Sequence, residues 1–81
     1  MKKSIFTREY TQLINDLITA RHRNKLKQKD VGKGLGKPQS FVSKYKRCER
    51  RLDVVEFVKI CRIIGIDPYR IIRRVDQMVV M

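Results

Sequence analysis

The polar residues between Gly36 and Arg51 have the types and spacing needed to bind a polyanion. In this segment, "GKPQSFVSKYKRCERR", polar and charged side chains surround Phe41, Val42 and Tyr45, which have the character of core residues. Glutamine can form two hydrogen bonds with adenine N6 and N7, and lysine can donate to O6 or N7 of guanine. Arginines suit phosphate oxygens. The pattern therefore predicts that the start of the segment meets nucleobases and that its end meets phosphates.

The positive charge is concentrated in the middle of the chain. The 81 residues include 20 Lys plus Arg and 8 Asp plus Glu, a net charge of +12. Residues 21–51 carry twelve of these cations and two of the acids, so +10 of the +12 falls within this part of the chain. A concentration of this kind favours a polyanionic partner over a merely soluble basic surface.

The remaining reactive residues form no catalytic or metal-binding pattern. Cys48 and Cys61 are separated by twelve residues in the sequence, and the one histidine, His22, has no second metal-ligating residue near it. We therefore expect no zinc site, no cofactor and no disulfide framework. The acids are scattered as helix caps and ion-pair partners, which argues against an enzyme. Cys61 is expected in the core and Cys48 at the surface.

Apolar spacing predicts five helices and an all-α fold in one small domain comprising residues 1–81. The expected helices cover about 8–23, 28–35, 38–46, 54–64 and 68–79. Their ends are marked by capping residues, namely Thr7, Gly36, Asp53 with Glu56, Gly65, and Asp67 with Pro68. No apolar run approaches the length of a membrane span and no signal peptide is visible, so we expect a cytoplasmic protein.

The second helix, the glycine turn and the third helix are typical of a helix-turn-helix. In that motif the second of the two helices enters the major groove of DNA, and its N-terminal residues meet base edges. Gln39 and Ser40 would then lie at the tip of the third helix. Val42 and Tyr45 would face the core, and the arginines that follow would lie along the phosphate backbone.

Residues 26–68, "LKQKDVGKGLGKPQSFVSKYKRCERRLDVVEFVKICRIIGIDP", resemble the Cro/cI-type helix-turn-helix family of phage and bacterial transcriptional regulators. The shared features are Gln opening helix 2, Leu-Gly before the turn, Gln-Ser-x-Val-Ser-x-aromatic in helix 3 and Arg-Leu-Asp opening helix 4. The resemblance implies a compact five-helix, lambda-repressor-like domain. It also implies a base-contacting set and a phosphate-contacting set. The first is Lys37, Gln39, Ser40 and Lys44, with Phe41 against a thymine methyl; the second is Gln28, Ser43, Arg47 and Arg50.

Three positions depart from the family's pattern. Lys46 stands where the family usually has a glutamate that pairs with the helix 1 arginine, here Arg21, so two like charges would meet. Cys48 stands where a glycine in a left-handed turn is usual, and Lys25 replaces the glycine before Leu26. Each change predicts lower stability or a shifted turn.

The main hypothesis is a sequence-specific regulator of transcription that binds double-stranded DNA, a repressor of bacterial or phage origin. Val54, Val58, Ile63 and the C-terminal "MVVM" widen the apolar surface, which predicts a homodimer through helices 4 and 5. Two alternatives stay open. One is the antitoxin of a toxin–antitoxin pair, which would hold a toxin through another face. The other is an RNA-binding or bridging adaptor, although an RNA reader usually needs exposed aromatic rings, and Tyr10 and Tyr45 are expected in the core.

Overall fold

The computed structural model describes residues 7–79, and within that range the chain forms five α-helices and no strand. The helices are α1 (Arg8–Arg23), α2 (Gln28–Leu35), α3 (Gln39–Lys46), α4 (Val54–Ile64) and α5 (Pro68–Met78). The all-α prediction is confirmed. Helix α3 begins one residue later than predicted because Pro38 is extended, with ψ at 159°, and serves as the N-cap. Val80 and Met81, part of the predicted C-terminal apolar surface, lie outside the described residues.

Three helices begin at side chains that accept hydrogen bonds from the first turn. The Thr7 hydroxyl accepts from the Tyr10 amide at 3.2 Å, and the Asp67 carboxylate accepts from the Tyr69 amide at 2.9 Å. At the start of α4 the capping box is reciprocal. The Glu56 amide donates to Asp53 at 2.7 Å, and the Asp53 amide donates to Glu56 at 2.9 Å. These caps satisfy amides that have no partner within the helix.

Four helices are followed by a residue in the left-handed conformation. Gly36 (φ 71°) and Gly65 (φ 89°) end α2 and α4 as expected, because glycine has no Cβ to clash there. The turns after α1 and α3 instead place L-residues in this region, Lys25 at φ 58° and Cys48 at φ 60°. Lys25 and Cys48, which stand where the family usually has glycine, therefore adopt the left-handed backbone conformation although they are not glycine.

The turn after α1 retains its backbone hydrogen bonds in spite of this substitution. The Lys25 amide donates to the His22 carbonyl and the Leu26 amide to the Arg21 carbonyl, both at 3.0 Å. This pair of bonds is the Schellman motif that satisfies the last carbonyls of a helix. The turn is therefore not shifted, and the expected consequence of the substitution is backbone strain.

All five helices contribute to one hydrophobic core. Its most deeply buried side chains are Ile14, Leu17, Val31, Val42, Ile60, Cys61 and Ile71. Tyr10, Tyr45 and Cys61 are buried as predicted. The prediction for Cys48 is wrong, since its side chain is only 8% exposed. The left-handed turn folds Cys48 back into the same cluster, near Tyr10.

Helices α3 and α5 lie on different sides of this core. Helix α3 packs on α2 and α1, whereas α5 packs on α1 and α4 and, among the described helices, touches neither α2 nor α3. Ile63 does not extend an exposed surface as expected. It is half-buried, and it lies so close to Gly34 of α2 that a Cβ there would come within 2.9 Å of it. None of the helices within residues 7–79 has both the length and the hydropathy needed to cross a membrane.

Candidate nucleic-acid interface

The angle between α2 and α3 is fixed by a close approach of backbone to backbone. The Lys37 amide donates to the Gly32 carbonyl at 2.9 Å. A Cβ at position 32 would lie 2.9 Å from the Lys37 carbonyl oxygen, so only glycine fits there without a shift. Together with the left-handed Gly36, this contact sets the direction in which α3 leaves the turn.

Helix α3 buries one side and presents the other to solvent. Val42 and Tyr45 are 1% and 2% exposed. At 3.6 residues per turn, the outward side carries five polar residues, four of them opposite Val42 and Tyr45 and the fifth, Gln39, on the flank of the first turn. Three of these, Gln39, Ser40 and Lys44, are exposed; the other two are Ser43, which is half-buried, and the exposed Arg47 that caps the helix. The structure thus brings together on one face five of the residues that the sequence assigned to base or phosphate contacts.

Phe41 lies at the edge of this face and is flanked by two cations. The Arg50 guanidinium carbon lies 4.6 Å from the centre of the Phe41 ring, and Lys37 Nζ lies 5.7 Å from it. The ring also meets Tyr45 edge-on, with the centroids 6.1 Å apart. Cations over an aromatic face are attracted by its quadrupole, so Phe41 helps to position Lys37 and Arg50.

Arg50 is also held by the first turn of α4. Its two terminal nitrogens donate to the two carboxylate oxygens of Glu56, each at 3.0 Å. This hydrogen-bonded pairing and the bond from the Asp53 amide hold the pKa of Glu56 below its usual value. A bidentate pair fixes the plane of a guanidinium as well as its position. Arg50 therefore has a defined direction in the free protein.

Arg47 is paired in a similar way at the end of α3. Its Nε donates to Glu49 Oε2 at 2.7 Å, and its Nη1 donates to the Ser43 hydroxyl. The bond to Arg47 lowers the pKa of Glu49. Glu49 is thus paired with Arg47, and within the described residues it forms no ion pair with Lys46. The side chains of Arg47 and Glu49 are both well exposed, so exchange of this carboxylate for a phosphate costs little.

Tyr10 connects this interface to α1, a role that the sequence reasoning missed. Its hydroxyl accepts a hydrogen bond from the Leu52 amide at 3.0 Å and donates to the Arg50 carbonyl at 3.4 Å. The Arg51 guanidinium carbon lies 4.5 Å from the centre of the same ring. Burial raises the pKa of Tyr10. The loop that carries the arginines is therefore anchored on the core.

The remaining residue predicted to contact phosphate, Gln28, is the first residue of α2 and is half-buried.

Within residues 7–79 no group of three or more His, Cys, Asp or Glu side chains is placed to hold a metal ion. Both cysteines are free and buried, and burial raises the pKa of Cys61 to about 11. A thiol with so high a pKa stays protonated at neutral pH and is a poor nucleophile.

Comparison with known proteins agrees with this geometry. The family model described as "Helix-turn-helix" matches residues 17–71. A solved structure, of an XRE-family like protein from Pseudomonas syringae pv. tomato str. DC3000, is 44% identical in sequence with a TM-score of 0.82. The similarity covers 89% of this chain and 88% of that one. The chain belongs to the Cro/cI-type (XRE) helix-turn-helix family. No protein with a curated description matches its sequence.

Membership of the helix-turn-helix family assigns this chain to DNA-binding transcriptional regulators, a kind of protein that is not enzymatic.

The surroundings of the buried Arg21 differ from the family's pattern, in which the helix 1 arginine pairs with a glutamate. The Arg21 side chain is buried. Its Nη1 donates to the Leu26 carbonyl at 2.9 Å, and its Nη2 lies 3.2 Å from His22 Nε2. Within the described part of the chain Arg21 has no ion pair with a carboxylate, and Lys46 is exposed.

Proposed function

We propose that this chain is a sequence-specific repressor of transcription that reads the major groove of double-stranded DNA with α3. The observation that carries the proposal is the outward face of α3, where Gln39, Ser40 and Lys44 are exposed while Val42 and Tyr45 are buried. A helix presented in this way can enter the major groove with its N-terminal side chains directed at base edges. A regulator seated on its operator represses by excluding other proteins from the same DNA.

The interface divides into a base-reading part and a phosphate-gripping part. We assign base contacts to the residues at the start and outer face of α3, namely Lys37, Gln39, Ser40, Phe41 and Lys44. We assign phosphate contacts to the residues around it, namely Gln28, Ser43, Arg47 and Arg50. The ion pairs of Arg47 and Arg50 support this division, because they orient the two guanidinium groups before DNA arrives. Residues 1–81 act together as one helix-turn-helix domain.

The same proposal includes a two-fold homodimer through α4 and α5. Val54, Tyr69 and Ile72 are 76%, 69% and 46% exposed, so both helices present large apolar side chains to water, and an apolar patch formed by them would mark an interface. The domain measures 37 × 29 × 20 Å. Two such domains side by side therefore match half-sites about 34 Å apart, the spacing of one helical turn of DNA.

Substitutions on α3 test the base-reading assignment. The binding site is first selected from a random duplex library, and affinities for that site and for random duplex are then measured at several salt concentrations. Gln39→Ala and Lys44→Ala should each cost about 1–3 kcal/mol on the selected site and much less on random DNA. Arg47→Ala should weaken binding to both duplexes alike and reduce the salt slope by about one. Arg73→Ala on α5 removes the same charge away from α3 and should change neither affinity.

The outcome that contradicts the proposal is a shared behaviour of all the α3 variants. If Gln39→Ala and Lys44→Ala weaken binding to both duplexes as Arg47→Ala does, α3 does not read bases. The protein would then be a nonspecific nucleic-acid binder even though its fold is that of the family. A preference for RNA over duplex in the same assay would contradict the proposal as well.

A charge placed in the apolar surface tests the dimer. Ile72→Glu should produce a monomer in light scattering at protein concentrations where the wild type is a dimer, because a carboxylate cannot be buried there without a partner. Gln77→Glu adds the same charge on another side of α5 and should leave the dimer intact. A wild-type monomer, both free and with its selected duplex, would refute dimerisation.

A further inference from the structure

A second cluster of arginines surrounds a cleft on the side of the protein away from α3. The cleft lies between α1 and α5 and has a volume of about 480 Å³. Arg23 from α1 and Arg70, Arg73 and Arg74 from α5 line it. Since α5 touches α1 and α4 but neither α2 nor α3 among the described helices, the three α5 arginines of this cluster are separate from the proposed DNA interface.

Three of these four arginines are available to a ligand. Arg74 Nε lies 3.0 Å from Asp16 Oδ2, so that cation is already paired. Arg23, Arg70 and Arg73 are exposed, and within residues 7–79 they form no ion pair. With Asp16 as its one acid, the cleft lining carries a net charge of +3. Guanidinium groups are always charged and match the geometry of carboxylates.

The floor of the cleft is apolar, which restricts the kind of anion that fits. Ala20 and Ile71 are buried beneath it, and the half-buried Ile66 lies beside them. A free phosphate would leave this surface in water. Duplex DNA presents a broad convex backbone, whereas the site is concave. A narrow segment that carries carboxylates around an apolar side chain would use both the rim and the floor.

The chain itself has no such segment to offer from a second copy. No two of its eight acidic residues are adjacent in the sequence. Six of them already cap helices or pair with basic side chains in the structure; they are Asp16, Asp30, Glu49, Asp53, Glu56 and Asp67. The occupant must therefore come from a different protein.

We propose that the cleft between α1 and α5 docks an acidic peptide segment of a partner protein. Its carboxylates pair with Arg23, Arg70 and Arg73, and an apolar side chain rests on the floor. This assignment is independent of the reading of DNA by α3. It is also compatible with the proposed dimer, because at 3.6 residues per turn Arg70 and Arg73 lie on a different side of α5 from the exposed Ile72. The protein can then hold DNA, its own copy and a partner at the same time.

The test uses a short fluorescein-labelled peptide in which Glu and Asp surround one central Leu. Its binding to the full chain is followed by fluorescence anisotropy with saturating duplex present, so that the α3 face is occupied. The Arg70→Gln/Arg73→Gln variant should weaken peptide binding about tenfold, the loss expected for two partly exposed ion pairs. Lys59→Gln/Arg62→Gln removes the same charge from exposed positions on α4 and should leave the affinity unchanged. Replacing the peptide's Leu by Ser should weaken binding about fivefold through the lost apolar contact.

Three results would overturn the proposal. Equal weakening by the two double variants would mean that the peptide senses only net charge. No detectable binding of the peptide to the wild-type chain would mean that the cleft has no affinity for acidic segments. A loss of duplex affinity in Arg70→Gln/Arg73→Gln would mean that these arginines contact DNA. Failure of DNA reading would appear instead in the Gln39→Ala and Lys44→Ala variants, so the two proposals fail separately.

Discussion

Replacing Lys25 by glycine should stabilise the protein. Lys25 has φ at 58° in the turn after α1, and its side chain is exposed. An L-residue held in the left-handed region costs about 1–2 kcal/mol, because its Cβ approaches the following carbonyl oxygen. Glycine removes that cost but loses about 0.5–1 kcal/mol through its greater freedom in the unfolded chain. The difference is a gain of about 0.5–1 kcal/mol in the free energy of unfolding.

Little else in the structure depends on the Lys25 side chain. The turn is held by backbone bonds, from the Lys25 amide to His22 and from the Leu26 amide to Arg21, and glycine preserves both. Within residues 7–79 the Lys25 side chain forms no ion pair. In a domain of this size 1 kcal/mol corresponds to about 4–8 °C, so the midpoint should rise by about 2–8 °C.

Urea and thermal unfolding, followed by circular dichroism, measure the effect. The matched control is Lys33→Gly, which removes the same charge from an exposed position inside α2 where φ is not positive. There glycine should cost about 1 kcal/mol. If Lys25→Gly is no more stable than the wild type while Lys33→Gly is destabilised, the left-handed backbone is not a source of strain at position 25 and the reasoning is refuted.

Three further changes test the energetics of the turns and ion pairs. In the same urea series, Cys48→Gly should increase the free energy of unfolding by less than Lys25→Gly does. Glycine relieves the backbone strain at φ 60°, but the substitution also removes a buried thiol from the core. An equal increase in the two variants would mean that the thiol contributes nothing to stability. Lys46→Glu should increase the free energy of unfolding by about 1 kcal/mol or less, and so raise the melting temperature, because it would offer buried Arg21 a carboxylate. A lower melting temperature would mean that the two side chains do not meet. The pKa of Glu56 is lower in the folded protein than its value near 4.5 in the unfolded chain. Its carboxylate therefore contributes its full stabilisation at pH values above about 4.5, and this contribution is lost as the pH falls through the folded-state pKa. Glu56→Gln should therefore flatten the acid limb of the stability–pH curve, and an unchanged limb would show that its pairing contributes nothing.

The helices could be predicted from the sequence because their signals are local. Apolar spacing and capping residues such as Thr7 and Gly65 act over a few positions, and they identified all five elements. The exact start of α3 could not be predicted in this way, since the fixed φ of Pro38 suits both an N-cap and a first helical residue. The burial of Cys48 escaped prediction because it depends on a left-handed turn in a residue that rarely adopts one.

The exposed face of α3 could likewise be predicted, because the buried Val42 and Tyr45 determine which side chains point outward. The partners of Arg47 and Arg50 could not. Arg50 meets Glu56 only because the loop between α3 and α4 curves back toward the helix start, and that path is set by tertiary contacts. The arginine cleft was missed because α1 and α5 come from opposite ends of the sequence. Arg70, Arg73 and Arg74 also lie outside residues 21–51, in the part of the chain where the net charge is only +2 (+12 less +10).

The hydroxyl of Tyr10 has a practical consequence for protein engineering. It bonds the backbone of the arginine loop at Arg50 and Leu52, yet it precedes residues 17–71, the part that the family model matches. A DNA-reading module cut at those limits and grafted onto another protein would keep α2 and α3 but lose the anchor of that loop. A graft that preserves the grip on phosphates must start no later than Thr7, the cap from which the helix bearing Tyr10 begins.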